Sequence, residues 1–185
     1  GTLGANEVRG KTLCTLISPG TELSWNYTGE RFPSFPGYAA VFAAEEAGSN
    51  VKGITANDIL FCMGPHRSFQ QVEARATRPV PKGLLPGKAV LARLMGVSMT
   101  TLMTTAARPG DRVMITGAGP VGFLAAQIFA LSGYDVLVIE PDEERRQQVV
   151  QSGIRSVYPK IPVDDAAIAK TVALVVDCSG HEQAA

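Results

Sequence analysis

The stretch VMITGAGPVGFLAAQIFALSGYDVLVIEPDEERR, residues 113–146, holds the residue types and spacing with the clearest chemistry in the chain. Gly117, Gly119 and Gly122 stand at GxGxxG spacing, between an apolar β-branched run and a helical one. In such a loop the first glycine allows a tight turn and the second lets the backbone approach a pyrophosphate. The third lets the helix pack close to the strand, and the helix N-terminus offers N–H groups and partial positive charge. Glu140 follows the next apolar run, roughly twenty residues on, where a carboxylate accepts hydrogen bonds from an adenosine ribose. The loop Gly117, Ala118, Gly119, Pro120, Val121 and Gly122, with Glu140, is therefore expected to bind a dinucleotide. A carboxylate at the ribose favours a free 2′-hydroxyl over a 2′-phosphate, so NAD is preferred; Arg145 and Arg146, which can meet a phosphate, leave NADP open. Asp142, Glu143 and Glu144 read as an acidic helix start that suits the dipole.

The elements that must position these residues form an alternating series: RVMITG, PVGFLAAQIFALSG, DVLVIE, DEERRQQVVQSG, SVY and VALVVDCSG. Continuous β-branched runs separated by helices predict parallel strands buried on both faces, that is, an α/β Rossmann-type sheet. The preceding region has another texture. VRGKTLCTLI, GYAAVFAAEEAG, DILFCM and SFQQVEA are strand-length, and turn signals such as Ser18-Pro19-Gly20 and Phe35-Pro36-Gly37 separate them. This predicts an irregular, mostly β domain over residues 1–85 and a nucleotide-binding domain over 86–185, with Pro86 able to open the helical stretch GKAVLARLMGVSMTTLMTTA.

The 17 basic and 17 acidic residues cancel and are interspersed, so nucleic acid is not expected as a partner. No uninterrupted apolar run is long enough for a membrane span. Cys14, Cys62 and Cys178 are scattered, odd in number and never in a CxxC pair, which fits neither a disulfide framework nor a structural zinc site. A cytoplasmic setting is the expectation.

The segment AARPGDRVMITGAGPVGFLAAQIFALSGYDVLVIEPDEERRQQVVQSGI resembles the medium-chain dehydrogenase/reductase superfamily, the alcohol-dehydrogenase-like proteins, and its PGDRV…GAGPVG lead-in is more specific than the glycines alone. TLISPGTELSWNYTG and FPGYAAVFAAEEAGSNV resemble the strand and loop segments of that family's GroES-like catalytic domain. The resemblance implies an NAD(P)-dependent oxidoreductase with its substrate in a cleft beside the nucleotide domain, and carries Arg145 over as a basic residue touching the ribose. It also implies further strands beyond VVDCSGHEQAA, so that the chain reads as an internal fragment whose last strand is an open edge.

The departures from the zinc-dependent pattern are specific. Pro19 stands where the metal-binding Cys of that pattern would be, Tyr38 where its His would be and Ala39 where its Glu would be; none is a normal zinc ligand. LARLMGVSMT offers no remaining ligand, and the four-cysteine structural lobe is missing. The sequence thus points to a zinc-independent branch with no metal ligands; His66 and His181, lone loop histidines, are left without a place. Without a Lewis acid, the oxyanion of a hydride transfer must be stabilised by hydroxyls, N–H groups or water. Thr21 matches the proton-relaying hydroxyl of the zinc enzymes, and Tyr38 places a phenol at the missing imidazole; each could equally be a turn or packing residue. Trp25, Tyr27 and Phe32 could line an apolar pocket, with Met63 and His66 as weaker candidates.

Two functional classes follow: a zinc-independent oxidoreductase acting on a small carbonyl, alcohol or activated alkene, or a non-catalytic dinucleotide-binding or assembly module. A homo-oligomer is left open by both.

Overall fold

The computed structural model describes residues 2–28 and 32–180, apart from the side chain of Trp25. The chain divides into two units, Gly1–Arg93 and Leu94–Ala185.

In the first unit, alternation of apolar and polar residues generates a five-stranded antiparallel sheet in the order β4-β1-β2-β3-β5. The strands are β1 (Glu7–Thr15), β2 (Ala40–Ala47), β3 (Ile59–Cys62), β4 (Phe69–Glu73) and β5 (Thr77–Pro79). Val8, Ala40, Phe42, Ala44, Leu60 and Cys62 form its core. The β1–β2 register shifts between Arg9 and Gly10 and between Thr12 and Cys14, so β1 bends along its length.

Between β1 and β2 the chain departs from the expected turn. Ser18-Pro19-Gly20 instead opens a short helix, α1 (Pro19–Glu22), which runs on as a wider helical turn over Leu23–Tyr27. Proline's fixed φ suits a first helical position, and the Glu22 N–H donates to Ser18 O at 2.9 Å to close the turn. Pro86 likewise opens α2 (Pro86–Ala89).

The second unit contains most of α3 (Ala92–Thr104), then β6 (Arg112–Thr116), α4 (Pro120–Leu131), β7 (Asp135–Ile139), α5 (Glu143–Gln151), β8 (Ser156–Tyr158) and β9 (Val172–Asp177). The four strands are parallel in the order β8-β7-β6-β9. Val113 and Ile115 of β6 and Val138 of β7 are fully buried, as the continuous apolar runs require. They pack with Ala125, Ala126 and Phe129 of α4 and Val149 of α5. Tyr134 meets Phe129 edge to face at 5.1 Å and donates its hydroxyl proton to Ala107 O at 3.1 Å. No helix among the described residues is long and apolar enough to cross a membrane.

Candidate functional site

Three backbone hydrogen bonds extend the strand pairing past the ends of β6, β7 and β9. Gly117 N–H donates to Ile139 O at 2.7 Å, Glu140 N–H to Tyr158 O at 2.9 Å, and Cys178 N–H to Thr116 O at 2.8 Å. The glycine loop, Glu140 and Cys178 are thereby fixed side by side at the carboxyl edge of the parallel sheet, where open α/β sheets bind ligands.

Gly117 turns with φ +82°, and a β-carbon there would lie 2.8 Å from Ser179 Cα. At Gly122 a β-carbon would sit 1.8 Å from the carbonyl oxygen of Gly117, so only glycine lets α4 approach the strand this closely. Gly119 is different: nothing lies within 4 Å of its missing β-carbon. Gly119 is the N-cap of the twelve-residue α4 and no side chain caps it, which leaves the partial positive charge of the helix facing open space. Steric need thus accounts for the first and third glycines, whereas the second leaves open space at the N-terminus of α4.

Glu140 is 3% exposed, and both of its carboxylate oxygens are engaged. Oε2 accepts from Ala118 N–H at 2.6 Å and Oε1 from Asp142 N–H at 2.9 Å. A carboxylate offers about four lone-pair sites, so each oxygen keeps capacity for a hydroxyl. The side chain therefore ties the glycine loop to the start of α5 and still presents acceptors to a cavity of about 660 Å³. Its walls include Gly117, Gly119, Arg145, Lys160 and Cys178. Arg145 Nη1 lies 3.9 Å from Glu140 Oε2 and is half exposed. Arg146 turns away, donating to Glu140 O and Pro141 O and pairing with Glu143, which removes it as a phosphate ligand. Asp142 caps α5 by accepting from Arg145 N–H at 2.9 Å. Burial, with Asp177 adding to it, pushes the Cys178 thiol up to about 11.

In the first unit, Thr21 is exposed on α1 and its hydroxyl accepts from Ser18 Oγ at 3.2 Å. Tyr38 is half-buried, with the Arg93 guanidinium 4.7 Å above its ring. Neither lines a cavity of about 520 Å³ whose walls include Thr15, Ile17, Glu22, Leu23, Tyr27 and His66. His66 finds a place there: Nδ1 is 2.7 Å from Thr15 Oγ1 and Nε2 is 3.1 Å from Glu22 Oε1. Phe32 and Met63 are exposed and do not line it. The Trp25 side chain and His181 lie outside the described residues.

Sequence reasoning passed over Glu22 and Thr15. The available signal was the acid in SPGTE, one turn after Ser18, where its carboxylate reaches back to the Ser18 N–H at 3.0 Å. Its pairing with a histidine 44 residues away leaves no sequence trace.

No family model matches the chain. The L-threonine 3-dehydrogenase of Pyrococcus furiosus is 28% identical over an alignment covering 96% of this chain and 60% of that protein. Among solved structures, an alcohol dehydrogenase superfamily protein from Novosphingobium aromaticivorans superposes with a TM-score of 0.80 at 19% identity, covering 96% of this chain and 59% of that one. The quinone oxidoreductase of Escherichia coli, solved with NADPH, gives 0.68 at 21% identity over 85% and 51%. The chain thus spans somewhat over half the length of these proteins. Its relatives and structural neighbours are medium-chain dehydrogenase/reductase proteins, and its fold is theirs: a GroES-like antiparallel sheet and an incomplete Rossmann-type parallel one.

Proposed function

We propose that the chain is part of a zinc-independent, NAD(P)-dependent oxidoreductase that interconverts a small carbonyl compound and its alcohol, or reduces an activated alkene. The observation that carries this reading is the open face of Gly119 beside buried, acceptor-bearing Glu140. A cradle for phosphate and a partner for ribose hydroxyls share one cavity. In this proposal Gly117, Ala118, Gly119, Pro120, Val121 and Gly122 hold the pyrophosphate, Glu140 the ribose, and Arg145 and Lys160 supply countercharge. NAD is favoured because Glu140 meets a 2′-phosphate with like charge.

When bound, a nicotinamide supplies or accepts a hydride. The protein's own part is to orient it and to stabilise the charge that develops on the substrate oxygen. Support for zinc independence comes from the donor set: Pro19, Tyr38 and Ala39 offer no imidazole, thiolate or carboxylate, and a guanidinium covers the Tyr38 ring. Thr21 and Tyr38 stay as candidate oxygen-stabilising groups. Reducing surroundings agree with three free cysteines, and we place the protein in the cytoplasm.

The test is incubation of the protein with NADH and a panel of ketones, aldehydes and activated alkenes, following loss of the dihydronicotinamide absorbance in metal-chelated buffer. Turnover that survives chelation supports the reading, whereas turnover restored only by zinc contradicts its metal-free form. NADH binding without turnover of any member favours a non-catalytic module.

A further inference from the structure

A carboxylate is removed from water only at a cost of several kcal/mol unless partners replace its hydration. Glu22 accepts that burial, with its side chain 5% exposed. Its Oε1 receives the Ser18 N–H at 3.0 Å and faces His66 Nε2 at 3.1 Å. A carboxylate at Nε2 holds a ring proton there, so Nδ1, 2.7 Å from the Thr15 hydroxyl, accepts from it when bare and donates to it when protonated. Hydroxyl, imidazole and carboxylate thus stand in line, each within hydrogen-bond reach of the next.

The backbone that carries the ring is tied down, and a glycine makes room beside it. His66 N–H donates to Pro36 O at 2.8 Å. Gln70, itself buried, donates to the carbonyl of Pro65 at 3.1 Å. Gly37, at φ +92°, lets the chain pass where a β-carbon would lie 2.8 Å from His66 Nδ1. The remaining cavity wall is apolar, from Ile17, Leu23 and Tyr27. Among the described residues, Glu22 is the charged group facing His66 and Tyr27 is the other titratable group on that wall; neighbouring Arg67 is drawn to the face of Phe35 at 5.1 Å.

We propose that this cavity binds an apolar small molecule bearing one carbonyl or hydroxyl oxygen, and that Thr15, His66 and Glu22 form a relay moving a proton to or from that oxygen. The proposal rests on the oxidoreductase reading and gives it a proton path. Reducing a carbonyl adds a hydride to carbon and needs one proton on oxygen. Thr15 Oγ1 gives its proton to that oxygen and takes one from Nδ1 of the His66 imidazolium, whose Nε2–H stays on Glu22; alcohol oxidation runs the same transfers in reverse. Thr15 is the catalytic group here, and His66 and Glu22 act through it.

The test uses the cofactor-free chain, with acetophenone as the probe ketone and imidazole nitrogen NMR as the readout. The expected result is a His66 ring that keeps a proton on Nε2 and whose Nδ1 signal moves on adding acetophenone. Thr15→Val should weaken acetophenone about tenfold while Thr15→Ser stays within about twofold. Glu22→Gln should lose the single tautomer but keep the ketone; where that variant does not fold, the wild-type tautomer and the Thr15 pair decide. A wild-type ring without a proton on Nε2, or equal acetophenone affinity in the two Thr15 variants, overturns the relay. An NADH titration on the same wild-type sample separates the two claims. NADH bound with no response at His66 sinks the relay alone, and no NADH bound with the ketone results intact sinks the oxidoreductase reading alone.

Discussion

The two units assemble polar groups in opposite ways. In the second, the glycine loop and Glu140 lie within one strand–loop–helix–strand run, and pairing of adjacent parallel strands brings Cys178, from the end of β9, to the same edge. In the first, Thr15, Glu22 and His66 come from the end of β1, from α1 and from the loop before β4, and only the folded antiparallel sheet brings them together. A site built from backbone geometry can be read from glycine spacing. A site built from side chains far apart in sequence cannot.

The largest expected effect tests the backbone half of this contrast. Gly122→Ala places a methyl group 1.8 Å from the Gly117 carbonyl and should destabilise the second unit by about 3 kcal/mol in denaturant unfolding. Recovery of full stability would mean that α4 is not held as close as described.

Cysteine reactivity sharpens the comparison next. Burial pushes both Cys62, in the first unit's core, and Cys178, beside the second unit's cavity, up to about 11. The thiolate fraction of each near pH 8 is then about a hundredfold below that of an unshifted thiol. Because the shift is upward, alkylation should keep accelerating as pH rises from 9 to 11. NADH should protect Cys178 and not Cys62; equal protection of both would break the assignment of the cavity.

Glu140→Ala removes the acceptor of two N–H groups, Ala118 and Asp142, and should cost about 2 kcal/mol of stability on top of any loss of cofactor. Gly119→Ala gives the smallest change in folding. Its side chain would enter open space at φ −63°, so stability should stay within about 0.5 kcal/mol while NADH binding falls about tenfold. Dissociation of stability from binding at residue 119, against their coupling at residue 140, distinguishes a cradle from a strut.

Most of the second unit was legible in the sequence, because β-branched runs, glycine punctuation and helical stretches each have a local cause. Even the short Ser156–Tyr158 strand follows from its three residues. The structural task of Glu140 was not legible: spacing assigned it to a ribose, and the folded chain shows it holding the glycine loop to the start of α5. The residues alone left Arg145 and Arg146 both able to meet a phosphate and only the resemblance picked Arg145; helix geometry sends Arg145 to the cavity and Arg146 to the carbonyls of Glu140 and Pro141. In the first unit the Ser18-Pro19-Gly20 turn signal hid a helix start, since proline serves both. The resemblance drew attention to Thr21 and Tyr38, whereas burial singles out Glu22.

The central claim is that the glycine loop and Glu140 hold a nicotinamide dinucleotide. Calorimetric titration of the wild type, Gly119→Ala and Glu140→Ala with NADH and NADPH tests it most directly. The account predicts tighter binding of NADH than NADPH, weakened in both variants, with the preference for NADH lost in Glu140→Ala. Binding of neither cofactor by the folded wild type, or unchanged NADH affinity in Gly119→Ala, would contradict it.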